Sequence, residues 1–291
     1  MDIFKHLINI LNKIKTKQNK TKQMNLNSVV TITLGDMAEN HAGMEQIGQM
    51  VQPGQGFNIQ DLEEIKERFD GLGIETELIN LSDHELNGIN PTNTNLSGTS
   101  AHILVIRNGV DAILSIESNF NKEQMMAEQI SLNVDKHAFM YGRVVNKKAR
   151  WNLCFSQEAS EPDYENKKGR VIRWDDVPIT KVIYDNIVTY FGEKAHGLEG
   201  EGNYYYDITQ CGIGYHGDSE RRKVIGIRLG SNMPLYYQWF NQGEAVGNRI
   251  QVNLNCGDIY IMSEKTVGTD WKKKTIYTLR HATGTDKFIN I

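Results

Sequence analysis

Cysteine is scarce in this chain of 291 residues. Cys154, Cys211 and Cys256 are its only three, and they are scattered. That excludes a disulfide framework or a zinc knot and points to a reducing, intracellular compartment, cytoplasm or nucleus. Long apolar runs are lacking too, so no segment reaches the roughly 20 residues that a transmembrane helix needs. The stretch Ile3–Ile14 is short, basic and amphipathic, and no small-residue cleavage site follows it as it would in a secretory signal. With the Lys/Asn/Gln-rich segment 15–27 it reads as a solvated basic extension over 1–28; a membrane-surface or targeting helix is the alternative. Basic residues are rare in the next stretch. Residues 29–117 hold three Lys/Arg against fourteen Asp/Glu, which makes a poor nucleic-acid surface. Residues 118–291 hold twenty-three against twenty-one, with local basic runs.

What is present reads as two folded parts. In 29–117, Val29–Leu34 is an apolar, β-branched strand, and Leu62, Ile65 and Phe69 mark one face of a helix over Asp61–Phe69. Glu77–Leu81 and Ile103–Ile106 read as strands, and Asn108-Gly109 reads as a hairpin turn. His41, in a polar loop, reads as a hydrogen-bonded loop residue rather than a ligand. These features predict a small acidic α+β domain, a candidate module for binding a protein partner. A helix over Lys122–Ile130 opens the second part. From about Phe139 many short strands follow, interrupted by one amphipathic helix, Ile179–Phe191. Such spacing indicates a barrel or a double-sheet jelly roll. The fold class expected is therefore α+β, with a jelly-roll domain over 118–291 able to fold without 29–117.

The chemistry-bearing motif lies in the second part. Gly214-Tyr215-His216-Gly217-Asp218 is answered by Arg280-His281-Ala282. A His-x-Asp with a distant His offers a metal two imidazoles and a carboxylate on one face, with positions left open, as in non-haem Fe(II) oxygenases. Alternation along a strand would point His216 and Asp218 the same way, with Gly217 leaving room on the other face.

The segments between the two halves carry a resemblance. Val224–Gly230, Leu235–Phe240, the Gly257-Asp258 turn before Ile259–Met262, and then His281 follow in an order that resembles the AlkB-like Fe(II)/2-oxoglutarate dioxygenases. Upstream, Gly142-Arg143 through Ala149-Arg150-Trp151 looks like the segment that precedes the substrate lid in that family. The resemblance covers about 135–291. It implies a double-stranded β-helix fold and His216, Asp218 and His281 as iron ligands. It also implies Fe(II) and 2-oxoglutarate as cofactors, oxidative decarboxylation to succinate, and oxidation of a nucleic-acid base. A protein or small-molecule hydroxylase is the alternative, as is a non-catalytic barrel.

The cosubstrate's far carboxylate needs a cation, best an arginine that pairs it through two bonds. AlkB-like proteins carry an Arg-rich strand after the distal His. Here the ten residues after His281 hold no Arg, only Lys287. Arg228 is the preferred candidate, because it alternates with Val224, Gly226 and Gly230 on the strand face opposite Ile225, Ile227 and Leu229. Tyr204-Tyr205-Tyr206 lies where the family uses an Asn-x-Tyr pair for 2-oxoglutarate, making Tyr204 and Tyr206 candidates for cosubstrate binding. Glu220, Arg150 and Trp151 are candidate substrate contacts. The runs Lys147–Arg150, Lys167–Arg173, Arg221–Lys223 and Lys272–Lys274 could bind phosphates, or be solvated faces.

Overall fold

The computed structural model describes residues 27–82 and 100–291. The stretch Ile3–Ile14 and nearly all of the 1–28 extension lie outside the described residues. In chain order the strands are β1 (Val29–Gly35), β2 (Met37–Glu39), β3 (Gln46–Gly48), β4 (Thr76–Asn80), β5 (His102–Ile106), β6 (His137–Met140), β7 (Arg143–Asn146) and β8 (Trp151–Ser156). They continue as β9 (Val171–Arg173), β10 (Glu199–Tyr205), β11 (Gly212–His216), β12 (Val224–Gly230), β13 (Leu235–Asn241), β14 (Glu244–Val252), β15 (Ile259–Met262) and β16 (Thr278–Gly284). An eight-stranded sheet runs β4-β5-β15-β12-β1-β10-β8-β9, and a four-stranded sheet runs β11-β16-β13-β14. All neighbours in these sheets are antiparallel except β8 and β9. The protein is thus a mixed α+β fold with large antiparallel sheets.

Three layers follow from the residue pattern. Val30, Ile32 and Leu34 of β1 join Ile225, Ile227 and Leu229 of β12 in a core between the large sheet and the helices. The helix Ile59–Gly71 contributes Leu62, Ile65 and Phe69 to that core. Its start is fixed by a capping box in which Asn58 and Asp61 each satisfy the other's backbone N–H. Between the two sheets lies a second core of Val224, Tyr237, Trp239, Met262 and Leu279.

The expected boundary between 29–117 and 118–291 is not there. β1, from the acidic part, sits between β10 and β12, with Thr31 opposite both Asn203 and Arg228. β5 pairs with β15, so the acidic part also forms one flank of the large sheet. The sequence could not reveal this, because strand pairing is non-local while the composition shift is local. Two elements also differ from expectation. Asn108-Gly109 opens the helix Gly109–Glu117 rather than a hairpin, with Asn108 in the left-handed region at φ 51°. The helix expected over Ile179–Phe191 is broken into Pro178–Asp185 and Ile187–Phe191.

Candidate metal centre

His216 ends β11, and His281 lies directly across from it on β16. Their rings meet edge to face at 4.5 Å between centroids. Asp218 follows β11 in a loop whose backbone is tied down by Asp218 N–H donating to Val267 O at 3.0 Å. Gly217 is what allows that approach: a Cβ there would sit 2.0 Å from the carbonyl oxygen of Gly268. Asp218 Oδ1 is 3.6 Å from His216 Nε2 and 3.6 Å from His281 Nε2. Ligand atoms of the three residues all fall within 4.8 Å of one another, so they could hold one ion. His216 Nδ1 lies 2.8 Å from Gly214 O, which assigns the proton to Nδ1 and leaves Nε2 as the donor to a metal.

Electrostatics prepare the same cluster for a cation. Burial in the pocket walls, together with His281, pushes the His216 imidazole down to about 3, so it is neutral at ordinary pH. Burial opposes ionisation of Asp218, but the His281 hydrogen bond and the Arg221 guanidinium outweigh it and hold this carboxyl well below the usual range. Glu220 goes the other way, raised to about 7 by burial and by the charge of Asp218. A neutral His216 imidazole and an ionised Asp218 carboxylate, with the His281 imidazole beside them, suit a divalent ion such as Fe(II) or Mn(II).

The cluster lines a cavity of about 720 Å³ between the sheets. Arg228 lines it as well, at 1 % exposure. Its Nε and Nη1 have no hydrogen-bond partner among the described residues, and neither has Thr31 Oγ1 beside it. Gly226 makes room for the Tyr260 ring, which a Cβ would meet at 2.0 Å. The inward face read from alternation on β12 is the cavity face.

Other expected residues fall differently. Tyr204 faces the helices, where its hydroxyl donates to Gln129 Oε1 at 2.8 Å; the strand's alternation gives the cavity Tyr205 instead. Tyr206 donates to Lys148 O at 2.6 Å and stacks on Trp151 at 4.3 Å. Trp151, with Lys136 Nζ over its ring at 4.2 Å, packs outside the cavity. Lys287 is exposed, with Nζ near the Phe288 ring, and does not reach the interior. Arg150 and Glu220 do line the cavity, as does His41 at its mouth. Sequence reasoning missed Thr31, Glu201 and Tyr260, whereas Asn203, in the Asn203-Tyr204-Tyr205 match to the family's Asn-x-Tyr pair, does line the cavity. Strand alternation with Asn203 and Tyr205 could have hinted at Glu201, and nothing local pointed to Thr31.

The basic runs divide between the interior and the surface. Arg221 and Lys223 are buried, and Arg222 pairs with Glu264 at 3.3 Å. Arg170 pairs with Glu161, and Arg173 with Asp176. Lys147 is buried and donates to Asn40 Oδ1 at 2.6 Å, pinning the β2–β3 hairpin at the cavity mouth. Burial pushes its ammonium down to about 8 from 10.5. Between those values the unfolded chain holds a proton that the folded one releases, so this group's penalty is relieved as pH rises. The unfolding free energy of the native protein, relative to Lys147→Met, is therefore expected to climb from pH 8 to pH 10 in denaturant titrations. A flat or falling difference would contradict this assignment.

Fold and site together define an α+β protein with a two-histidine, one-aspartate cluster in a cavity between antiparallel sheets. No family model matches the chain. It is 47% identical over 265 residues to an uncharacterized protein of Acanthamoeba polyphaga mimivirus, across 91% of this chain and 98% of that relative. The chain belongs to the same family as that viral protein.

Proposed function

We propose that this protein is an Fe(II)/2-oxoglutarate-dependent dioxygenase. The observation that carries the reading is a single cavity holding both the His216–Asp218–His281 cluster and the buried, unpartnered guanidinium of Arg228. A buried charge without a partner is costly, so a ligand carboxylate is the natural occupant of that end. Bound iron with 2-oxoglutarate would supply oxygen-dependent oxidation. The chain would hold the metal through the Nε2 atoms and Asp218, and would orient the cosubstrate through Arg228 with the Thr31 hydroxyl beside it. The interior cation also argues against a non-catalytic barrel.

Strand order supports a double-stranded β-helix. From β10 onward, successive strands fall in the large, small, large, small, small, large and small sheets. An eighth strand is then needed in the large sheet between β10 and β12, and β1 fills that place. On this reading the barrel is circularly permuted. The Arg-bearing strand expected after His281 is replaced by β1, which brings Thr31 into register with Arg228.

The cavity mouth favours a small polar molecule or a protein side chain over a nucleic-acid base. It mixes Glu39 and Glu220 with Arg150 and Lys272, and of the four basic runs only Lys272–Lys274 is wholly exposed. Among the described residues no helix is long and apolar enough to cross a membrane.

The test is succinate release from 2-oxoglutarate with Fe(II) and oxygen, paired with metal titration. The native protein is expected to bind Fe(II) or Mn(II) and to release succinate. His216→Ala and Asp218→Ala should each abolish both while circular dichroism is preserved, because residues in an open metal site serve chemistry more than folding. Unchanged metal titration in both variants would overturn the assignment.

A further inference from the structure

Asp218 presents its two oxygens to different surroundings. Oδ1 faces both imidazoles at 3.6 Å, while Oδ2 lies 3.8 Å from Arg221 Nε. Arg221 is 3 % exposed, deep in the fold. Its Nη2 donates to Glu220 Oε1 at 2.8 Å and to Glu201 Oε2. Glu201 comes from β10, on the large sheet, and its other oxygen accepts from Asn203 Nδ2 at 2.9 Å. The Arg221 carbonyl in turn accepts from Thr269 Oγ1 at 2.8 Å, in the segment after Val267 that anchors Asp218. A single guanidinium thus ties the loop that carries Asp218 to the opposite sheet. Three buried or part-buried carboxylates share it, so without a further cation the cluster is left with excess negative charge.

We propose that Arg221, anchored by Glu201, is a positioning residue for the metal centre: its charge, 3.8 Å from Asp218 Oδ2, draws that oxygen and so keeps Oδ1 aimed at the site between His216 and His281. This rests on the metal reading above. The forked guanidinium of arginine suits the task, because it hydrogen-bonds Glu201 and Glu220 while its Nε stands 3.8 Å from Asp218; a lysine ammonium is a point charge and cannot serve all three. The outer partner of a metal ligand usually matters nearly as much as the ligand. Removing one lowers metal affinity by about 10- to 100-fold.

Co(II) binding to the full-length protein tests this, read by calorimetry and by the visible absorption bands, which report the arrangement of ligands. Arg221→Met and Glu201→Gln are expected to bind Co(II) about 10- to 100-fold more weakly than the native protein, with altered bands. Arg221→Lys should recover part of the affinity through charge but not the native spectrum. If Arg221→Met does not fold, Glu201→Gln, which keeps the side-chain shape, decides the matter. Native affinity and native bands in Glu201→Gln and in every folded Arg221 variant would overturn the positioning role while leaving the metal site standing. No Co(II) binding by the native protein would overturn the metal reading and this role with it.

Discussion

Replacing Arg228 with Met is expected to abolish 2-oxoglutarate binding while leaving metal affinity nearly unchanged. The guanidinium is fully buried at the cavity wall with two nitrogens unpartnered, and it lies across β1 and β12 rather than among the metal-cluster residues. Each charge-assisted hydrogen bond to a carboxylate is worth roughly 1.5–3 kcal/mol. Losing two weakens binding by about a hundredfold or more. Arg228→Lys should also bind poorly, since an ammonium cannot reproduce the two-pronged contact. Lys287→Met should bind like the native protein, because Lys287 is exposed and outside the cavity. A second consequence separates this site from a structural one. In the ligand-free protein an unpaired buried charge destabilises, so Arg228→Met should melt a few degrees higher than native while losing the cosubstrate. Calorimetric titration with 2-oxoglutarate in the presence of Mn(II), alongside thermal melts, would check both. Native-like cosubstrate affinity in Arg228→Met would remove Arg228 from the site.

Deleting residues 1–35 is expected to leave no folded protein. Every residue of β1 is buried, and the strand is hydrogen-bonded on both sides. Val29, Val30, Ile32 and Leu34 each contribute about 1.5–3 kcal/mol of burial. Together these four approach the roughly 5–15 kcal/mol by which a domain is stable at all. Their loss would also expose the edges of β10 and β12 and divide the large sheet, inviting aggregation. A fragment of 118–291 lacks β5 as well and should fare no better. Expression of 36–291 should give insoluble protein, partly rescued by adding a peptide spanning 27–36. A soluble fragment of 36–291 with a cooperative melt would show that β1 is dispensable.

Local pattern made several parts legible. Leu62, Ile65 and Phe69 specified a helix face, and the alternation of Val224, Gly226, Arg228 and Gly230 was enough to place Arg228 on an inward face. Gly217 between His216 and Asp218 was legible as a residue left small for space, although the neighbour that needs the space, Gly268, was not. The family resemblance misled at Tyr204 and Tyr206, because the strand ends at Tyr205 and its phase, set by pairing with β1 and β8, turns Asn203 and Tyr205 to the cavity instead.

By itself, then, the sequence determined the periodicities, the ligand-type residues and the inward face of β12, since each depends on neighbours within a few positions. Only the tertiary structure decided that residues 29–117 are part of the main sheet, that β1 stands between β10 and β12, and that Arg221 faces three carboxylates rather than solvent. Those outcomes depend on which strands pair across nearly two hundred residues of chain, as Thr31 does with Arg228. Pairing of that kind is decided by the burial of whole faces against one another, and no local window of residue types encodes it.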